Sequence, residues 1–190
     1  FELAHIWECD KATGVWKKTS RLQSSVPPEI LFIERCTQFL APGGRMGIVL
    51  PDSILGSPGL GYIREWMIQN HRIVASIDLN ADTFQPRNGT QTSVLILQKK
   101  TQEQRDAEEK SGKMADYNIF MAMVEKVGHD KRGNPLFKRD KEGNEILVPD
   151  TNSVLVLGET GDGQRTVSHE QKVKVEDDQT PDVPAIFAEW

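Results

Sequence analysis

The 190-residue sequence is poor in the residue patterns from which self-contained chemistry is usually built. Cysteine occurs only at Cys9 and Cys36. Two thiols at that separation make no disulfide scaffold and lack the spacing of a zinc site, so a reduced, buried Cys36 and a cytoplasmic location are the expectation. The four histidines, His5, His71, His129 and His169, fall in unrelated segments and read as surface residues. No apolar run approaches the ~20 residues of a membrane helix, and no signal peptide is visible. The glycine-rich phosphate loops and the nucleophile elbow are missing as well. So is a basic surplus: the formal net charge is −5, unlike that of a free-standing nucleic-acid binder.

What remains describes an α/β domain. Residues 1–100 carry 11 Lys and Arg against 9 Asp and Glu, and the rest of the chain carries 12 against 19. A DNA-facing surface therefore belongs to the first half. Asp10-Lys11-Ala12-Thr13-Gly14 is turn chemistry between Ile6-Trp7 and Val15-Trp16, predicting a loop or short hairpin. Pro27-Pro28-Glu29 opens a helix whose apolar stripe runs through Ile30, Ile33, Cys36 and Phe39, and Pro42-Gly43-Gly44 ends it. The run Met46–Leu50 predicts a strand buried on both faces. After a Gly, Pro and Ser-rich loop to Gly61, a helix is expected at about 62–70, with Trp66, like Trp16, a packing residue. Strands are expected over 73–79 and 92–97. Only the loop 81–91 joins these two, which predicts antiparallel pairing.

Beyond residue 100 the reading changes. Residues 101–113 are charged and predict an exposed linker or helix, and 117–124 a further strand. Two similar turns, at Arg132-Gly133-Asn134-Pro135 and Lys141-Glu142-Gly143-Asn144, predict a small hairpin. From Thr151 the chain has 8 acidic against 3 basic residues and little regular structure is expected. The division is thus 1–100, 101–149 as an extension of the same domain, and 150–190. Phe1 opens the chain in mid-domain and the apolar Ile186–Trp190 closes it, so the sequence reads as a piece of a longer protein.

A longer pattern goes beyond periodicity. Pro27-Pro-Glu-Ile-Leu-Phe-Ile-Glu-Arg-Cys36, Leu40-Ala-Pro-Gly-Gly-Arg-Met-Gly-Ile-Val-Leu-Pro-Asp-Ser-Ile-Leu-Gly56, Ile77-Asp-Leu-Asn-Ala-Asp-Thr-Phe-Gln-Pro86 and Gly89-Thr-Gln-Thr-Ser-Val-Leu-Ile-Leu-Gln-Lys-Lys100 follow one another. The string resembles, in order, the modification subunit of type I restriction–modification systems, an adenine-specific DNA methyltransferase. Glu125–Pro135 continues the likeness, which covers about residues 1–149. It implies a partial Rossmann-like fold of the class I S-adenosylmethionine-dependent methyltransferases, represented by its later strands and helices with a small peripheral β-hairpin. It further implies methyl transfer from S-adenosylmethionine to adenine N6 in double-stranded DNA, with a specificity subunit and a restriction subunit as partners, or with the recognition region fused in the same chain as in some relatives.

The departures from the family are as informative. The family's catalytic (Asn/Asp)-Pro-Pro-(Phe/Tyr) loop and glycine-bearing cofactor loop are not in this chain. Val26 precedes Pro27-Pro28 and Glu29 follows, so that pair supplies neither the amide acceptor nor the aromatic. The expected loop lies upstream of Phe1. The adenine amino group is a poor nucleophile, and an enzyme must extrude the base and accept hydrogen bonds from that amine in line with the methyl donor. Without those acceptors the chain alone is expected to be inactive and to bind no cofactor.

The resemblance places Phe84 where an aromatic stacks on the extruded base, against the alternative of a phenylalanine tucked under the sheet edge. Asp52, at the carboxyl edge of the sheet, shapes the target-base pocket or caps the following loop. Asp78 ends a strand in a similar way. Arg87, Asn88 and Thr90 contact phosphate or base edges, or form a solvated tip. A different class of reading is a non-catalytic DNA-binding or assembly scaffold derived from a methyltransferase half. An unrelated nucleotide-binding α/β protein would need a phosphate loop that the sequence lacks.

Overall fold

The computed structural model describes the backbone of residues 1–157 and 164–190, and the side chains of 1–151 and 171–190. Its centre is a four-stranded sheet in the order β3-β5-β4-β6, formed by β3 (Arg45–Pro51), β4 (His71–Asp78), β5 (Thr92–Lys99) and β6 (Phe120–Met123). β5 lies between β3 and β4 and is antiparallel to both, while β6 adds in parallel to the far side of β4. A hairpin of β1 (His5–Cys9) and β2 (Trp16–Leu22) precedes the sheet.

Helices α1 (Pro28–Phe39) and α3 (Gly61–Asn70) cover one face. Pro28 stands in the first turn of α1, where its missing N–H leaves no bond unmade, and Glu29 faces the positive helix end. Ile30 and Ile33 of α1 then meet Ile63, Trp66 and Met67 of α3 over Leu95 and Leu97 of the sheet. The turn expected after β3 is more ordered than the sequence implied. It holds α2 (Asp52–Gly56) and a 3-10 turn, Pro58–Leu60, with Ile54 in the core.

Polar groups tie the outlying segments to this core. The buried Glu34 carboxylate accepts from the backbone N–H groups of Glu2 and Leu3, both at 2.9 Å, docking the N-terminal segment onto α1. Lys100, 4% exposed, donates to Ile68 O at 2.8 Å and to Glu108 at 2.6 Å. That pair holds α4 (Gln102–Ser111) against the end of α3. α4 itself begins with a capping box between Thr101 and Gln104 and ends at Gly112 in the left-handed conformation.

Four expectations need correction. The buried stripe of α1 is shorter than expected: Cys36 is half-buried and Phe39 is 80% exposed, because the core contacts of α1 run through Ile30, Ile33 and Thr37. His71 is not a surface residue but is 0% exposed, since as the first residue of β4 it points beneath α1 and α3. Its Nδ1 lies 3.1 Å from Met67 O and its Nε2 3.0 Å from the Thr37 hydroxyl, and such a bonded imidazole can be buried cheaply. β3 is not buried on both faces: alternate residues Arg45, Gly47 and Val49 are exposed, Val49 by 48%, because β3 is an edge strand covered on one face. The region from Thr151 onward is not irregular. β7 (Leu147–Leu157) pairs with β8 (Gln164–Lys174), and α5 (Asp182–Glu189) follows, while residues 158–163 lie outside the described residues. There the backbone bonds of a long hairpin outweigh a polar composition. α5 is anchored by the stacking of Phe187 and Trp190 around Phe120 of β6.

Two outcomes follow from this packing. Leu97→Ala, which empties a fully buried position, is expected to cost about 2–5 kcal/mol in urea unfolding. Burial pushes the His71 imidazole below its ordinary value of 6.5; the Met67 carbonyl opposes this and Lys99 and Lys100 reinforce it. The unfolded chain therefore takes up a proton near pH 6.5 that the folded chain refuses, so stability is full above that pH and declines below it. The urea midpoint is expected to fall from about pH 7.5 to about 5.5, and His71→Gln to flatten that dependence. An unchanged pH slope in the variant would refute the assignment.

Candidate functional site

The strand register gathers the sequence-predicted residues at one edge of the sheet. β3 ends at Pro51 opposite Thr92, and β4 ends at Asp78 opposite Ser93. The carboxyl ends of β3 and β4 thus flank the start of β5, and the segment 79–91 leaves and re-enters the sheet at the same edge. This is where open α/β sheets place their ligands.

Asp52 is the first residue of α2, directly after β3. Its Oδ1 accepts from the Ser93 hydroxyl at 2.8 Å, and its backbone N–H donates to Gln91 O at 3.1 Å. The carboxylate thus ties the end of β3 to the start of β5, and among the described residues it makes no capping bond to the segment that follows. Asp78 lies across β5. Its Oδ1 is buried without a hydrogen-bond partner, and so is the Oγ1 of Thr92. Buried polar atoms are almost always paired, and two orphans at one edge mark it as unusual. Asp78 also borders a cleft of about 510 Å³ shared with Ser76, Met121 and Met123.

The loop is pinned by its own polar groups. Asn80 Oδ1 accepts from Asp82 N at 2.7 Å, Asn80 O accepts from Thr83 Oγ1 at 2.6 Å, and Phe84 O accepts from Asn88 N at 3.0 Å. Asn88 Oδ1 in turn accepts from Thr90 N at 2.9 Å. The Asn88 carbonyl group is therefore engaged in shaping the turn. Phe84 is 43% exposed on this frame, so its ring is not tucked under the sheet. Arg87, Asn88 and Thr90 are exposed beside it.

Sequence reasoning missed Ser93 and Thr92, although two hydroxyl residues opening an otherwise apolar strand were visible as a signal. It also missed the contact between this loop and the turn near Gly133, where a Cβ would lie 3.3 Å from Pro86 Cδ. Nothing in the sequence spacing announces that contact.

After β3, a Cβ added at Gly56 or Gly59 would meet open space, and at Gly61 it would meet the Trp16 ring. Among the described residues no group of three or more His, Cys, Asp or Glu could hold a metal ion, and no helix is long and apolar enough to cross a membrane.

A four-stranded sheet with a reversed strand inserted next to its edge, helices on one face and loops gathered at the carboxyl ends defines a Rossmann-like fold of the class I methyltransferase type. A family profile described as N-6 DNA methylase matches residues 5–143, and the chain belongs to that family. No match was found among curated proteins. Among solved structures it is similar to a candidate class I S-adenosylmethionine-dependent methyltransferase from Listeria monocytogenes, with 20% identity and a TM-score of 0.42 over 55% of this chain and 30% of that one. It is also similar to a modification subunit of a candidate type I restriction enzyme from Vibrio vulnificus, with 17% identity and a TM-score of 0.37 over 60% of this chain and 22% of that one. The chain spans less than a third of the length of either structure.

The geometry separates two kinds of residue at this edge. Ser93→Ala is expected to cost about 1 kcal/mol in urea unfolding, because it leaves the Asp52 oxygen without its partner. Phe84→Ala, at an exposed ring, is expected to stay within about 0.5 kcal/mol of the parent. A large loss for Phe84→Ala would make the ring structural.

Proposed function

We propose that this chain supplies one wall of the target-base pocket of an S-adenosylmethionine-dependent adenine N6 DNA methyltransferase, the modification subunit of a type I restriction–modification system. The single observation that carries the reading is Phe84: an exposed ring on an internally braced loop, at the carboxyl edge of the sheet, in a chain of the N-6 DNA methylase family. An extruded adenine has a π-face for such a ring, and base–aromatic stacking is worth roughly 1–3 kcal/mol. Asp52 lines the same edge, and Arg87, Asn88 and Thr90 face the duplex beside it.

The amide and proline carbonyl that activate the adenine amine, and the glycine loop that holds the methyl donor, belong to parts of the enzyme other than these 190 residues. The chain by itself neither binds S-adenosylmethionine nor methylates DNA. Residues 1–100 form the later half of the methyltransferase domain, 101–149 extend it and 150–190 form an appended segment. In the whole enzyme the partners are double-stranded DNA, a specificity subunit and a restriction subunit, and the enzyme works in the cytoplasm.

Two measurements test this. Titration calorimetry of the chain with S-adenosylmethionine is expected to show no binding, and micromolar affinity would place the cofactor site within these residues. A duplex carrying a mismatched adenine, whose extrusion costs less, is expected to lose roughly tenfold or more in affinity on Phe84→Ala. Equal affinities would remove the stacking role.

A further inference from the structure

One motif is left unused by this reading. The chain writes the same pattern twice, ten residues apart, as Asp130-Lys-Arg-Gly-Asn134 and Asp140-Lys-Glu-Gly-Asn144. Both copies fold alike. The Asp130 carboxylate accepts from Arg132 N at 2.8 Å, Asn134 N at 2.9 Å and Asn134 Nδ2 at 2.9 Å. Asp140 repeats this with Glu142 N at 3.0 Å, Asn144 N at 2.8 Å and Asn144 Nδ2 at 3.3 Å. Gly133 and Gly143 take φ of +82° and +89°, the left-handed region that favours glycine.

The copies differ in what they present and where. In the first, Lys131 and Arg132 are exposed, and among the described residues neither enters an ion pair. The oxygens of Asp130 are committed to its own turn; the Asn134 amide and backbone N–H, with the backbone N–H and the charge of Arg132, hold it below the usual carboxylate range. In the second, Lys141 is followed by Glu142, so the two side-chain charges cancel. A Cβ built at Gly133 would lie 3.3 Å from Pro86 Cδ, whereas one at Gly143 would meet nothing within 4 Å. The first turn alone thus lies beside the loop that carries Phe84. Arg87, also exposed and without an ion pair among the described residues, is the next residue after Pro86.

We infer that the Asp130–Asn134 turn is a phosphate-contacting element that grips the DNA backbone alongside the target-base pocket, with Lys131 and Arg132 acting together with Arg87. The inference rests on the DNA-facing reading of the Phe84 loop. Two adjoining loops bring three cations within two residues of Pro86 and Gly133, against Asp82 and Asp130 in those loops and Glu176, Asp177 and Asp178 in the segment paired with the turn's flanks, where Lys126 already engages Asp177. An arginine fork and a lysine ammonium are the groups that recognise phosphate oxygens. A turn fixed by its own carboxylate holds them with little ordering left to do on binding. Such contacts carry no sequence information but set the register of the duplex, which an enzyme acting on one extruded base requires.

The test is fluorescence anisotropy of a labelled duplex with the 190-residue chain over a range of salt concentrations. Each lost phosphate contact lowers the slope of log affinity against log salt by about 0.9. Lys131→Gln/Arg132→Gln is therefore expected to flatten the slope by about 2, Arg87→Gln by about 1, and Lys141→Gln, in the matching turn, not at all. A parental slope in the double variant, alongside a weakened Arg87→Gln, would overturn this inference and leave the pocket reading standing. No binding by the unaltered chain at the lowest salt would also overturn this inference. Competition by polyglutamate as effective as by DNA would assign the turn to an acidic protein surface and overturn it as well.

Discussion

The architecture depends on where β5 inserts. It returns between β3 and β4 and is hydrogen-bonded on both sides along its length. Because it runs against both neighbours, its first residues lie at their carboxyl ends. That single pairing places Ser93 between Asp52 and Asp78, and it anchors both ends of the Phe84 loop at one sheet edge. A parallel β5 would have needed a crossover and would have carried the loop to the opposite edge. The helices on one face stabilise this arrangement, but the strand order decides which residues meet.

Much of this was legible in the residues. Pro27-Pro28, the stripe through Ile30 and Ile33, and the glycine stop predicted α1 almost to its ends. The short polar loop predicted the antiparallel turnback of β4 into β5. What failed did so for identifiable physical reasons. An apolar run such as Met46–Leu50 reports hydrophobicity and not the number of covered faces. His71 was read from its residue type, and only the helices folding over it supply the Met67 and Thr37 partners that let it be buried. The hairpin of β7 and β8 is stabilised by backbone pairing, to which apolar periodicity is blind.

For the candidate site, Phe84, Asp52, Arg87, Asn88 and Thr90 meet at one sheet edge because they lie near strand ends, a placement the strand pattern made legible. The sequence did not reveal that Asn88 braces Thr90, that Ser93 holds Asp52, or that Gly133 rests on Pro86. All three depend on contacts made at the loop or across strands, and the last two join segments about 40 or more residues apart in the chain. Linear spacing carries no record of them.

The exposed alternation along β3 has a material consequence. Its outer rim presents a row of backbone donors and acceptors without a neighbour among the described residues, beside Val49 and with no lysine along the strand. Proteins commonly blunt such rims with charge, bulges or covering elements. Here only Arg45 and Pro51, at the two extremities, serve that purpose. A preparation of this polypeptide by itself would therefore carry a strand rim open to pairing with a second copy, opposed by its net negative charge.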